Sequence, residues 1–78
     1  MVNIKEQITI KSEFSVLKIF IDGTLHLYLD KDKLLGIQSW ISNDKYLIEY
    51  TLVGNTITTE YNSQEKWDFI LNLLNENL

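Results

Sequence analysis

Tyr46, Ile48, Tyr50 and Leu52 fall on one parity of a short run, with Glu49 and Thr51 on the other. Period 2 is the strand signature, because successive side chains of an extended chain point to opposite faces. Gly54-Asn55 breaks the run and Thr56 to Tyr61 alternates again, so this segment predicts a β-hairpin. With Gly54-Asn55 as a two-residue turn, Leu52 faces Ile57, Tyr50 faces Thr59 and Ile48 faces Tyr61, leaving one face apolar. The same register sets Glu49 beside Glu60, a like-charge pair costing a few tenths of a kcal/mol.

After Tyr61 the period changes. Trp67, Ile70, Leu71, Leu74 and Leu78 share one stripe at 3.6-residue spacing, so Asn62 to Leu78 predicts an amphipathic helix. Asn62 with Glu65 makes a capping-box-like start, and Glu65 and Asp68 suit the positive end of the helix dipole. Trp67, at the centre of the stripe, is expected in the core. Phe69 points about 160° away from that centre.

Upstream, Val2, Ile4, Ile8 and Ile10 alternate with polar residues and predict a first strand, with Lys11-Ser12-Glu13 as the turn that follows. Phe14 to Ile21 and Leu25 to Leu29 flank Asp22-Gly23, a strong hairpin signal. A two-residue loop there would put Lys18 among leucines. A three-residue loop sorts Leu17, Ile19, Leu25, Leu27 and Leu29 onto one face, and Gly23 then takes a positive φ. Leu35, Ile37 and Ile41 alternate next, and a four-residue Ser42 to Lys45 loop pairs Ile41 with Tyr46 and Ile37 with Tyr50. Leu35, Ile37 and Ile41 thereby join the apolar face of the last hairpin. Connecting that face to the leucine face of the earlier hairpin needs a bulge near Asp30 to Lys33 or a corner between two sheets.

The parity that makes one face apolar leaves Leu34, Trp40, Leu47 and Val53 on the other, with Phe20 and Tyr28 as possible neighbours. One helix cannot cover both faces. A large apolar patch on a small domain usually marks an interaction site, and tryptophan and tyrosine are favoured anchors. Trp40, Leu47, Phe20, Tyr28 and Phe69 are therefore the candidate interaction residues. Curling of the sheet into a small barrel is the structural explanation that competes for them.

Composition narrows the chemistry. The chain has 78 residues, of which 45% are hydrophobic and 12% aromatic, and a net charge of −4. All seven basic residues are lysine, and there is no arginine, alanine, proline or cysteine. Such usage fits an A/T-rich coding sequence, pointing to a low-G+C bacterium or its phage. Without cysteine there is no disulfide, thiolate metal site or cysteine nucleophile. An acidic chain without arginine is poorly equipped for phosphates or guanine edges, so nucleic-acid binding is not expected. Val16 to Ile21, interrupted by Lys18, is the longest apolar stretch and far too short to span a membrane. With no signal-peptide run at Met1 to Gln7, a cytoplasmic protein is expected.

Nothing in the chain argues for an enzyme, a metal or a cofactor. His26 is the only histidine, and no serine or acid stands at a spacing that singles out a triad. Gly23, Gly36 and Gly54 are dispersed and form no phosphate-cradling loop. Asp30 and Asp32 look like the start of a calcium loop, but the glycine and closing glutamate are missing at the required offsets. Tyr61-Asn62-Ser63-Gln64-Glu65-Lys66-Trp67-Asp68-Phe69-Ile70-Leu71 resembles the last strand and helix of pleckstrin-homology-like barrels. That resemblance implies a helix-capped barrel, although six strand segments stand where such barrels commonly have seven. Lys11-Ser12-Glu13 is also a poor substitute for the basic loop of their lipid-binding members.

The expectation is one domain over residues 1–78, α+β and mainly antiparallel. It comprises a five- or six-stranded meander with a C-terminal amphipathic helix, or alternatively a small helix-capped barrel. Its expected role is a non-catalytic protein-interaction module that self-associates as a homodimer through aromatic and aliphatic residues around Trp40. The alternative is a small acidic inhibitor or immunity-type protein, from a phage or mobile element, that blocks a basic site on a partner protein. An enzyme built around His26 would require that residue in a pocket beside acidic or hydroxyl groups.

Overall fold

The structure, a computed structural model, describes residues 6–78. Six antiparallel strands and one C-terminal helix form an α+β fold, as the alternation and the final stripe predict. The strands are β1 (Ile8–Glu13), β2 (Val16–Ile21), β3 (Thr24–Asp30), β4 (Leu34–Ser42), β5 (Lys45–Leu52) and β6 (Asn55–Tyr61), and the helix is α1 (Gln64–Asn77). They make two three-stranded sheets, β1-β2-β3 and β4-β5-β6. The sheets are not closed as a barrel, so the barrel expectation is corrected: the chain turns a corner between β3 and β4 instead of continuing one sheet. The expected strand residues Val2 and Ile4 lie outside the described residues.

The β1–β2 turn falls at Phe14-Ser15, not at Lys11-Ser12-Glu13, which belong to β1. Phe14 takes a φ of 44°, a region that bulky residues rarely adopt. Asp22-Gly23 is a two-residue turn with both residues at positive φ. The odd count that sorts the leucines comes from a bulge: Ile19 pairs with Leu27 and Phe20 with Leu25, leaving His26 as the extra residue. Leu17, Ile19, Leu27 and Leu29 thus share the buried face, while Leu25 stays on the exposed side.

A single turn of 3-10 helix, Lys31–Lys33, makes the corner. Asp30 caps it by accepting from the Asp32 amide at 3.1 Å. Lys31 N–H donates to Ser15 C=O at 2.6 Å and Val53 N–H to Lys33 C=O at 2.8 Å, tying the corner to a turn of each sheet. Such bonds satisfy backbone groups that neither ladder reaches.

β4 pairs with β5 as expected, Ile41 opposite Tyr46 and Ile37 opposite Tyr50, through a two-residue Asn43-Asp44 turn with both φ positive. A second bulge makes Leu35 the extra residue between Leu34 and Gly36. Leu34 therefore packs towards the core and Leu35 does not, the reverse of simple parity. The β5–β6 turn is Val53-Gly54, one residue earlier than Gly54-Asn55, with Gly54 at a φ of 90°. Tyr46 consequently faces Tyr61, Ile48 faces Thr59 and Tyr50 faces Ile57. The slip of two residues keeps every side chain on its expected face. It also separates the two acids: Glu60 lies opposite Leu47 and pairs with Lys45 at 2.8 Å, and Glu49 lies opposite Thr58.

Helix α1 is capped by Ser63, not Asn62; the Ser63 hydroxyl accepts from the Lys66 amide at 3.3 Å. It packs on β5 and β6. One core cluster unites Leu17, Ile19, Leu27 and Leu29 of the first sheet, Ile48, Tyr50, Leu52 and Tyr61 of the second, and Ile70 and Leu74 of the helix. Fully burying each aliphatic side chain is worth about 1.5–3 kcal/mol before entropy is subtracted. Trp67 is half-buried at the flank of this cluster rather than at its centre, and Leu78 is exposed.

Candidate interaction surface

β4 is an edge of its sheet, pairing with β5 on one side and, among the described residues, with no strand on the other. It is the longest strand of the fold and the one strand of the six without a charged residue; it has no proline. Free edges are normally blunted by lysine, proline or inward charge, because an open row of amides and carbonyls invites pairing with another chain. None of those three is present on β4, whose one blunting device is the bulge at Leu35, at the end away from Ile37 to Ile41. Leu35 and Ile41 are 69% and 54% exposed and Trp40 is 39% exposed. The two aliphatic residues were expected on the covered face. Ile41 remains open because α1 lies over β5 and β6 and stops short of the edge, and Leu35 because the bulge turns it away from the core.

Between that edge and the C-terminal half of α1 runs a groove of ≈ 240 Å³, lined by Ile37, Leu71, Leu74, Asn75 and Leu78. Its walls are aliphatic, and Asn75 is the polar group. Trp40 and Leu47 are direct cross-strand neighbours on the opposite face of this sheet, Trp40 exposed and Leu47 half-buried. Parity alone had placed them together.

The other expected interaction residues lie elsewhere. Phe20 and Tyr28 are on the outer face of the first sheet, where Lys18 stands opposite Tyr28. Lys11 and Lys18 hold their ammonium groups 5.8 Å from the Phe20 and Tyr28 ring centres, within cation–π range. Phe69 is half-buried on the helix, outside the core cluster. Sequence reasoning missed Phe14, whose ring is fully exposed at the tip of the first hairpin. It lines a second groove of ≈ 250 Å³ with Lys11, Glu13, Ser15, Val16, Lys18 and Tyr28. No glycine or proline announced that turn, so the segment read as strand.

His26 sits where the bulge of β3 turns it towards the second sheet, half-buried, its Nε2 2.8 Å from the Tyr61 hydroxyl. Burial lowers its pKa from 6.5, the Lys66 ammonium lowers it further, and Glu6 opposes both. Burial raises the pKa of Tyr61. Tyr50 is held well above the ordinary tyrosine range, by burial first and then by Tyr61, and its buried hydroxyl makes no hydrogen bond of good geometry. A neutral imidazole and two protonated phenols suit a structural contact between sheets. Neither groove is lined by His26.

The acids belong to many elements: Glu13, Asp30, Glu49 and Glu60 to four strands, Asp22, Asp32 and Asp44 to the connections, and Glu65, Asp68 and Glu76 to the helix. Among the described residues no group of three or more histidines or acids could hold a metal ion. No helix there is long and apolar enough to cross a membrane. No protein-family model, curated protein or solved structure matches the chain.

Proposed function

We propose that the protein is a non-catalytic protein-interaction module that associates with a second copy of itself through the open side of β4. The observation that carries this reading is the uncharged, proline-free edge of β4, with Leu35, Trp40 and Ile41 exposed along it and an aliphatic groove between its inner face and α1. Strand addition at an open edge supplies affinity through main-chain hydrogen bonds and specificity through alternate side chains. Closed twofold pairing is the commonest way for a soluble chain to satisfy such a surface.

Sedimentation velocity over a wide concentration range tests it. The wild type should sediment as a dimer, and Ile41→Lys, which places a charge on the edge, should sediment as a monomer. Tyr28→Ser, on the outer face of the other sheet, should leave the association unchanged. A wild type that stays monomeric throughout, or an Ile41→Lys variant that dimerises as well as the wild type, removes the proposal.

A further inference from the structure

The open side of β4 is complementary to itself in one register. Ser42 and Lys45 close the ladder at the two-residue Asn43-Asp44 turn. In such a hairpin the flanking pair is hydrogen-bonded, and bonded pairs recur at every second residue. Ser42, Trp40 and Gln38 therefore aim their backbone groups at β5, and Ile41, Ser39 and Ile37 aim theirs at the open side. The side chains of these three share the parity of Ile48, Tyr50 and Tyr46, their partners on the core-facing side of β5.

Resting on the self-association proposed above, we infer that two copies pair β4 with β4 antiparallel about a twofold axis at Ser39. Ser39 then faces its counterpart, and Ile37 of each copy faces Ile41 of the other. The result is a continuous sheet in the order β6-β5-β4-β4-β5-β6, with both helices on one face.

Three observations select this arrangement. Only residues with free backbone groups can form the new ladder, so every register that matches an odd position with an even one is excluded. Centring the pairing on Gln38 would draw Leu35, the extra residue of the bulge, into the ladder and set Ile37 against Ser39. Centring it on Trp40 would carry Ile37 past the strand end to Asn43. Pairing about Ser39 avoids both faults and brings the exposed Ile41 of one copy against Ile37, at the mouth of the aliphatic groove of the other. About six main-chain hydrogen bonds would link the copies, two for each bonded pair.

Charge favours this edge over the rest of the surface. Two chains of net charge −4 repel each other over most of their surfaces. β4 contributes no charge to that repulsion.

The absence of native cysteine makes the test direct. Bonded antiparallel neighbours stand about 5.5 Å apart between Cα atoms, inside the disulfide range. Ser39→Cys, an exposed position, should link to its counterpart on mild oxidation faster than Gln38→Cys, which faces Trp40 across the axis and lies farther from its own counterpart. In the wild type, amide exchange at Ile37, Ser39 and Ile41 should slow as concentration rises, while amides at Gln38, Trp40 and Ser42 stay slow throughout. A wild-type dimer whose Ile37, Ser39 and Ile41 amides exchange freely, or in which Gln38→Cys links and Ser39→Cys does not, overturns the register but leaves self-association standing. A monomeric wild type overturns both.

Discussion

Replacing Ile70 by alanine should destabilise the protein more than replacing Trp67 by phenylalanine, although tryptophan is the larger residue. Ile70 has no exposed surface and belongs to the cluster that joins both sheets to the helix. Truncating a fully buried isoleucine loses its transfer free energy and leaves a cavity, costing about 2–5 kcal/mol. Trp67 is half-buried at the flank of that cluster, and its ring lies 5.6 Å from that of Tyr46. Its indole N–H donates to the Leu47 carbonyl at 3.0 Å. Phenylalanine keeps most of the ring contact and forfeits the hydrogen bond, about 1 kcal/mol. A chain of this length is stable by only about 4–12 kcal/mol. Ile70→Ala should therefore take away a large share of the total, and Trp67→Phe a small one. Urea unfolding followed by far-ultraviolet circular dichroism measures both, provided the denaturant slope is unchanged. If Trp67→Phe costs as much as Ile70→Ala, the indole is the anchor of the helix and the placement of the core is wrong.

Two further outcomes follow from the polar contacts and the backbone. Because His26 has a folded-state pKa below its unfolded value of 6.5, its contribution to stability is complete above that pH and is lost as pH falls through the folded-state value. His26→Gln should therefore narrow the fall in stability between neutral and mildly acidic pH; a wild type that grows more stable relative to the variant on acidification would contradict the burial of that ring. Phe14→Asn should raise the melting temperature, because a φ of 44° costs phenylalanine about 1 kcal/mol more than asparagine and its exposed ring has little packing to lose. A lower melting temperature would show that the Phe14 ring makes contacts worth more than the strain.

Faces were more legible in the sequence than edges. Parity with an odd residue count put Leu17, Ile19, Leu27 and Leu29 on one side, wrongly with Leu25, and parity gave the β4–β5 register at Ile37 and Ile41. The β5–β6 register moved by two residues because the turn formed at Val53-Gly54, and since side chains alternate with period 2 the apolar face survived while the Glu49–Glu60 contact did not. The two bulges, at His26 and Leu35, were invisible as local signals; one had the effect expected of a longer loop, and the other sent Leu34 inwards and Leu35 outwards. Trp67 sits at the flank because the helical stripe fixes which side is apolar, not where along that side the sheet meets it. The proximity of Trp40 and Leu47 was readable for the same reason as the faces. That β4 is an open edge was not, because strand order depends on contacts distant in sequence. The reach of the helix, which leaves Ile41 uncovered, is likewise a tertiary property.

Everything proposed about function turns on whether the bare side of β4 is occupied in solution. Sedimentation of the wild type beside Ile41→Lys, at concentrations from dilute to crowded, addresses this most directly. A wild type of twice the monomer mass and a variant of single mass are the expected results, with identical circular dichroism spectra. A wild type of single mass at every concentration would mean that the edge stays open, and the account of this surface would fail.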